Sequence, residues 1–322
     1  MGMLRANRDP RPPLRVAVLL GGMSAEREVS LKSGAAVSAA LGASGHTVVE
    51  IDPAQLDLAK YDWSAVDVAF IALHGRFGED GTVQQILEDA RIPYTGSDVA
   101  ASRLAISKSA TKERFLQAGV PTAPYTLIHE SDSAHHITQH ALALGFPLVV
   151  KPDTQGSSLG VTIVPSLELL PVALTRCFQY DPFGILETWI DGTEWTAGFV
   201  DDLALPLIRI ETDRQFFDFE AKYEDDGTRY RFDGKLPDEI QEQLARAAAD
   251  ARRAVGTRGI ARIDLMVDAD DRPWVLEVNT VPGMTDHSLV PKAAAEAGID
   301  FTELCERCLQ SALKQSRRRD AA

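Results

Sequence analysis

The sequence predicts an α/β domain followed by two α+β domains, and three observations predict it. The runs RVAVLL (15–20), HTVVEID (46–52) and VDVAFIAL (66–73) have strand length and are nearly all apolar at their centres, with a helical pattern after the first. Such buried strands with an intervening helix indicate a parallel sheet. Beyond Pro121 and Pro124 the pattern changes to mixed strands and helices, ending in runs that alternate with period two. With 322 residues, and about 100–200 residues per domain, the chain is long enough for two or three domains.

The elements follow in order. Gly21-Gly22 ends the first strand, and Ser24 is expected to cap a helix with Glu26 and Glu28 in its first turn, running to Leu41. LHGRFGEDG (73–81) is a polar, glycine-rich loop at the end of the third strand, where open α/β sheets bind ligands. Helices are expected over 82–90 and 97–119, the second broken near Ser107. The next stretch reads as strand TLIHE, helix 133–144, strand PLVVKP, a glycine loop, strand VTIV, helix 166–180 and strand ILETWI. TAGFV and LALPLIRIE alternate like antiparallel strands, and 237–256 is a helix with Pro237 at its first position and Gly256 just past its end. The expected divisions are a disordered arm (1–13), an N-terminal α/β domain (14–119), a central domain (120–195) and a C-terminal domain (196–322).

Composition narrows the function. Hydrophobic residues make up 45% and charged residues 25%, as in ordinary soluble proteins. Lys and Arg number 33 against 47 Asp and Glu, a net charge of −14, which disfavours nucleic acid and anionic membranes as partners. No apolar run approaches the ~20 residues of a membrane span. The N-terminal MGMLRANRDPRPPLR is basic and lacks an apolar segment of signal length. Three cysteines in a long chain suit a reducing compartment, so a cytoplasmic protein is expected. Cys305 and Cys308 fall at helical spacing with Leu304 and Leu309 and read as packing.

The most informative segment is ARIDLMVDADDRPWVLEVNTVPGMT (261–285), which reads as a hairpin turning at DADDRP. A turn centred on Asp270-Asp271 sets Asp264 opposite Glu277, with Arg262 and Asp264 on one face and Glu277 and Asn279 on one face. Two carboxylates and an amide oxygen at cross-strand distance suit a hard cation such as Mg²⁺. A solvated surface hairpin is the alternative, but it has no need of Arg262 and Asn279 on the same face. The chain has no G-x-x-x-x-G-K-[ST] and no G-x-G-x-x-G. It does have VVKPDTQGSSLGVTIV (149–164), in which Gly156, Ser157, Ser158 and Gly160 let backbone N–H groups approach a polyphosphate beside Lys151. Lys108 and Lys222 are further candidate cations.

Together these motifs resemble the D-alanine–D-alanine ligase family of the ATP-grasp superfamily. The resemblance rests on LLGGMSAEREVSLKSG (19–34), IALHGRFGEDGTVQ (71–84), PYTGS (93–97), KPDTQGSSLG (151–160), FEAKY (219–223), ARIDLMVD (261–268) and LEVNTVPGMTDHSLVP (276–291), in family order over about 14–310. It implies an ATP-grasp fold behind a Rossmann-like parallel-sheet domain. The implied reaction is ATP-dependent joining of two D-alanines through an acyl phosphate, giving ADP and phosphate, for peptidoglycan precursor synthesis.

The resemblance also implies roles. Asp264, Glu277 and Asn279 match ligands of two Mg²⁺ ions, or Mn²⁺. Lys108, Lys151 and Lys222 match phosphate contacts, with Gly156, Ser157 and Ser158 in the same loop. Glu187, Trp189, Ile190 and Glu194 match the nucleotide pocket. Glu26 matches the acid that takes the ammonium of the first D-alanine, with Val29 and His74 nearby. Arg262 and Gly283 match the oxyanion site, Ser288 and Leu289 the second D-alanine site, and Ser157, Tyr223 and Glu26 a hydrogen-bonded triad. An ω-loop corresponds to about 212–233, and a homodimer is implied. Tyr223 favours an amine as second substrate; a ligase using D-lactate or D-serine, and a non-catalytic nucleotide-binding module, are the alternatives. Met23, Thr188 and RYRFDGKLP (229–237) depart from the family's pattern.

Overall fold

The structure is a computed structural model that describes residues 12–212, 227–232 and 236–320, the last three without side-chain detail. The expected arm (1–13) and ω-loop (212–233) therefore lie largely outside the described residues, as do Lys222 and Tyr223.

The N-terminal part of the chain is built on three parallel strands, β1 (Arg15–Leu19), β2 (Thr47–Ile51) and β3 (Val68–Ile71), with β1 central. From Val16 to Leu19 β1 is apolar because it packs on both faces. Val16 and Val18 join one core with Val37 and Leu41, while Ala17 and Leu19 join another with Val83 and Leu87. Helix α1 (Arg27–Ala43) begins two residues later than expected. Glu26, not Ser24, is the residue that precedes it; the Ser24 hydroxyl accepts from Glu26 N at 3.2 Å and donates to the His74 carbonyl at 2.7 Å, which ties the turn to the loop after β3. Asp52, at the end of β2, fixes the same turn: its carboxylate accepts from Gly22 N at 2.9 Å and from Arg27 Nη2 at 2.7 Å.

Helix α2 (Thr82–Asp89) follows the loop after β3. The expected long helix is two: α3 (Val99–Ile106) and α4 (Lys108–Ala118). Ser107 ends one and caps the other, its Oγ accepting from Ala110 N, which sets Lys108 at the first turn of α4.

The central sheet comprises β4 (Tyr125–His129), β5 (Leu148–Pro152), β6 (Thr162–Val164) and β7 (Phe183–Thr188), all antiparallel, in the order β4-β7-β5-β6. Helices α5 (Ala134–Leu144) and α6 (Leu170–Phe178) cover one face through Ile137, Ala141, Leu170 and Ala173. The expected helix from 166 starts as a 3₁₀ turn over Leu167–Leu169 before α6.

The last sheet holds β8 (Gly192–Val200), β9 (Leu203–Ala204), β10 (Ile208–Glu211), β11 (Arg229–Arg231), β12 (Ile260–Asp268) and β13 (Pro273–Asn279). Its order is β11-β10-β8-β12-β13, with β9 beside β8. β8 pairs with β12 from Gly192 onward, so a division at 195/196 cuts through a strand of this sheet. Helix α7 (Asp238–Val255) backs the sheet with Leu244, Ala248 and Val255. Pro237 precedes its first residue rather than occupying it, and Gly256 ends it with φ 78°.

Helices α8 (Leu289–Glu296) and α9 (Phe301–Asp320) return to the first sheet, where Leu289, Cys305 and Cys308 share a core with Val16 and Leu41. Burial pushes the Cys308 thiol up to about 12, the behaviour of a packing residue.

The Asp52–Arg27 contact yields a pH test. The Arg27 guanidinium, with the Gly22 and Ala54 N–H groups, outweighs burial and lowers Asp52 from 3.8 to about 2. A carboxylate depressed in the folded state stabilises it above its unfolded value, and that contribution disappears as pH falls through the folded value. Asp52→Asn is therefore expected to melt below wild type at pH 7, with the gap closing between pH 3.8 and about 2 in thermal scans.

Candidate active site

The hairpin carries the densest set of functional groups. Asp264 pairs with Glu277 and Arg262 with Asn279, as the sequence predicts, but the turn that produces this register differs from the expected one. The loop is the three residues 269–271, closed by Asp268 and Arg272, with Asp271 left-handed at φ 61°. Near the turn Leu265 faces Val275, and the register then shifts by one between Asp264 and Leu265. The shift makes Leu276 an extra residue, so Leu276 and Glu277 both line the cleft while Val275 and Val278 both pack into the core.

Like charges on this face are offset by cations. Arg262 donates to Asp264 in a fork, Nε at 2.9 Å and Nη2 at 2.8 Å, and Thr196 Oγ1 donates to the same carboxylate at 2.7 Å. Lys108 Nζ stands 3.9 Å from Glu277 Oε2. Asn279 Oδ1 accepts from Val281 N at 3.0 Å. Among the described residues no group of three or more His, Cys, Asp or Glu forms a metal cluster. The donor set here is two carboxylates and an amide oxygen, hard ligands that fit Mg²⁺ or Mn²⁺ completed by water and phosphate.

A cleft of about 430 Å³ opens between the central and last sheets. Val149, Val161 and Ile163 form one apolar wall, and Ile210, Met266 and Leu276 the other. Trp189, Ile190 and Glu194 are also in the lining. Its polar end carries Lys108, Lys151, Ser158, Asp264 and Glu277. At its floor Glu187 is 2% exposed and clamped between two lysines: Lys151 Nζ lies 2.8 Å from Oε1 and Lys112 Nζ 3.0 Å from Oε2. Burial would raise Glu187, but the charges of Lys112 and Lys151 outweigh it and hold the carboxyl below its ordinary range.

The glycine loop separates this cleft from a pocket of about 50 Å³ lined by Glu26, His74, Glu79, Gly156, Ser157, Arg262, Asn279 and Gly283. Ser158 faces the larger cleft and Ser157 the smaller. Both take left-handed backbone, at φ 58° and 51°, a conformation unusual outside glycine and sparsely populated. Ser157 Oγ donates to Glu26, whose carboxylate also stands 3.0 Å from where a Cβ on Gly156 would lie. Asp153 holds the loop's start by accepting from Ser107 Oγ and Ser109 N, each at 2.7 Å, which joins it to the first turn of α4. His74 Nδ1 lies 3.0 Å from the Val281 carbonyl and 3.5 Å from Glu79 Oε1. Burial would lower His74, yet the bonds and charges of Glu79 prevail and raise it; burial likewise raises Glu79.

This arrangement has relatives. The D-ala D-ala ligase C-terminus family matches residues 115–310 and the corresponding N-terminus family residues 52–97. A D-alanine–D-alanine ligase of Stutzerimonas stutzeri is 46% identical over 98% of this chain and 99% of its own. The chain belongs to the D-alanine–D-alanine ligase family. Crystal structures of the Bacillus anthracis D-alanine–D-alanine ligase superpose with TM-scores of 0.84 (36% identity) and, complexed with ATP, 0.82 (33% identity). Each covers 95% of this chain and 99% of that one. The fold is that of the ATP-grasp ligases.

Of the family-matched positions, the structure brings together Glu26, His74, Ser157, Arg262, Asn279 and Gly283 around the small pocket. It sets Lys108, Lys151, Ser158, Glu187, Trp189, Ile190, Glu194, Asp264 and Glu277 around the large one. Val29, half-buried on α1, lines neither. Ser288 accepts from Thr285 N at 3.0 Å and approaches Gly283 so closely that a Cβ there would meet its Oγ at 2.7 Å. Leu289 turns into the core and lines neither pocket. Sequence reading missed Glu79, Lys112 and Asp153. Glu79 sits within the H-G-x-x-G-E-D-G motif and was open to discovery there; Lys112 and Asp153 carry no local signal.

Gly156→Val tests the partition. Its branched side chain would displace Glu26 from Ser157, so the D-alanine KM is expected to rise at least about tenfold. Nucleotide binding, followed by calorimetry, should stay within about threefold because Ser158 and Lys151 face the other cleft.

Proposed function

We propose that the chain joins two D-alanines at the expense of ATP, giving D-alanyl-D-alanine, ADP and phosphate. The supporting observation is the juxtaposition of two clefts across one glycine loop: a flat, lysine-ended cleft sized for a nucleotide, and a small pocket holding Glu26 and Arg262. The ATP complex of the Bacillus anthracis ligase supports nucleotide in the larger cleft.

In this reading the adenine lies between Val149 and Leu276, with its amino group toward Glu187 and the ribose toward Glu194. Lys108 and Lys151, with Lys222, hold the phosphates. The first D-alanine sits in the small pocket, its ammonium paired with Glu26, which Ser157 orients. His74 and Glu79 fix the pocket's far wall. Its carboxylate oxygen attacks the γ-phosphorus of ATP, the bond to the β-phosphate oxygen breaks, and ADP leaves from an acyl phosphate. The amine of the second D-alanine, near Ser288 and Leu289, then attacks the acyl carbon. The amine gives up a proton and phosphate departs, while Arg262 and the Gly283 N–H stand where oxyanion charge develops. Asp264, Glu277 and Asn279 would hold Mg²⁺ or Mn²⁺, which neutralises phosphate charge.

The same reading assigns three domains, with the last beginning near Gly192, and a ω-loop containing Lys222 and Tyr223 that excludes water. It further assigns a homodimer, a cytoplasmic location, and a product destined for peptidoglycan precursors. No helix among the described residues is long and apolar enough to cross a membrane.

Phosphate release from ATP is expected to require both D-alanine and Mg²⁺ and to fall at least about a hundredfold in Glu277→Gln; an unchanged rate would remove the metal assignment. Offered D-alanine, D-serine and D-lactate together at neutral pH, the enzyme should form chiefly the D-alanyl-D-alanine amide. Predominant ester on mass analysis would reassign the second substrate.

A further inference from the structure

We propose that Lys112 is a positioning residue for nucleotide recognition: from beneath the cleft it holds Glu187 as a charged acceptor for the adenine amino group and releases Lys151 to the phosphates. The inference rests on the reading of the large cleft as an ATP site.

Lys112 lies one turn beyond Lys108 on α4 and is 1% exposed. It reaches no ligand, since it is absent from the lining of both clefts. Its Nζ donates to Thr122 Oγ1 at 2.6 Å and stands 3.0 Å from Glu187 Oε2. The other carboxylate oxygen is held by Lys151, which does line the cleft. A triphosphate entering the cleft would compete with Glu187 for Lys151.

Were Lys151 the only counter-ion, its departure would strand a buried carboxylate, and such a group takes up a proton rather than remain charged. A protonated Glu187 would carry a hydrogen-bond donor and would suit a 6-oxopurine better than adenine. Lys112 removes that outcome. It supplies a resident charge that no ligand can reach, so Glu187 stays an acceptor whichever way Lys151 turns. When Lys151 turns to the phosphates, Oε1, the oxygen it holds, is the acceptor left for the base.

The test compares ATP with inosine triphosphate, which bears oxygen in place of the amino group. Lys112→Met is expected to raise the ATP KM about tenfold with kcat within about threefold, and to lower the ATP-to-inosine-triphosphate ratio of kcat/KM about tenfold. Lys112→Arg should restore both to within about threefold of wild type, which a volume effect alone would not do. In a Glu187→Gln background, adding Lys112→Met should change neither quantity by more than about twofold. That comparison also decides the matter if Lys112→Met does not fold, because the doubly neutral pair leaves no stranded charge. A folded Lys112→Met with wild-type ATP KM and wild-type nucleotide preference would overturn the proposal, as would an equal loss in the Glu187→Gln background. A wild-type chain that releases no phosphate from ATP and D-alanine would instead remove the ligase reading itself.

Discussion

A single buried carboxylate binds the halves of the nucleotide cleft together. Glu187 on β7 is clamped by Lys151 on β5 and Lys112 on α4, and Lys112 continues the chain of contacts to Thr122. Thr122 in turn donates to the Val275 carbonyl at 2.9 Å, and Val275 N donates to Pro121 O at 2.8 Å. Val275 immediately precedes the extra residue of β13. The central sheet, the helix that presents Lys108 and the strand that presents Glu277 are thus joined through one polar network. Removing one member of such a buried pair typically costs about 3–5 kcal/mol, because the other charge is left without water or partner.

Net charge is a poor guide to what this molecule holds. An excess of acids makes the surface as a whole repel anions, yet Lys108, Lys151 and Arg262 converge at the junction of the two clefts. Their ion pairs with Glu277, Glu187 and Asp264 keep these side chains ordered in advance of any ligand. An arriving polyphosphate competes with fixed carboxylates rather than with bulk water, so little reorganisation accompanies the exchange.

The sequence was most legible where chemistry and local geometry coincide. The pairing of Asp264 with Glu277 follows from a turn and a period of two, and the break at Ser107 from a capping residue inside a helical pattern. It was least legible where a residue's role depends on a distant partner. Ser24 has the look of a helix cap, but the helix begins only at Arg27, and the hydroxyl also reaches the carbonyl of His74, fifty positions away. Lys112 is one more lysine on a polar helix until Glu187 is folded against it. The turn of the hairpin was misplaced by one residue and the register still came out right, because the extra residue in β13 shifts it by the same amount.

That coincidence has a consequence for how this ribbon tolerates change. A β-strand keeps count by parity, odd positions one way and even the other, and the extra Leu276 resets the count between the turn and Glu277. Loop length at one end and ligand orientation at the other are therefore two halves of one sum. A residue gained in the 269–271 loop, with the bulge left in place, would carry the acids out of frame though no residue of either cleft had been touched. Where the strands rather than a longer loop took up that residue, loss of Leu276 would restore the pairing, as a reading frame survives an insertion when a nearby deletion restores it.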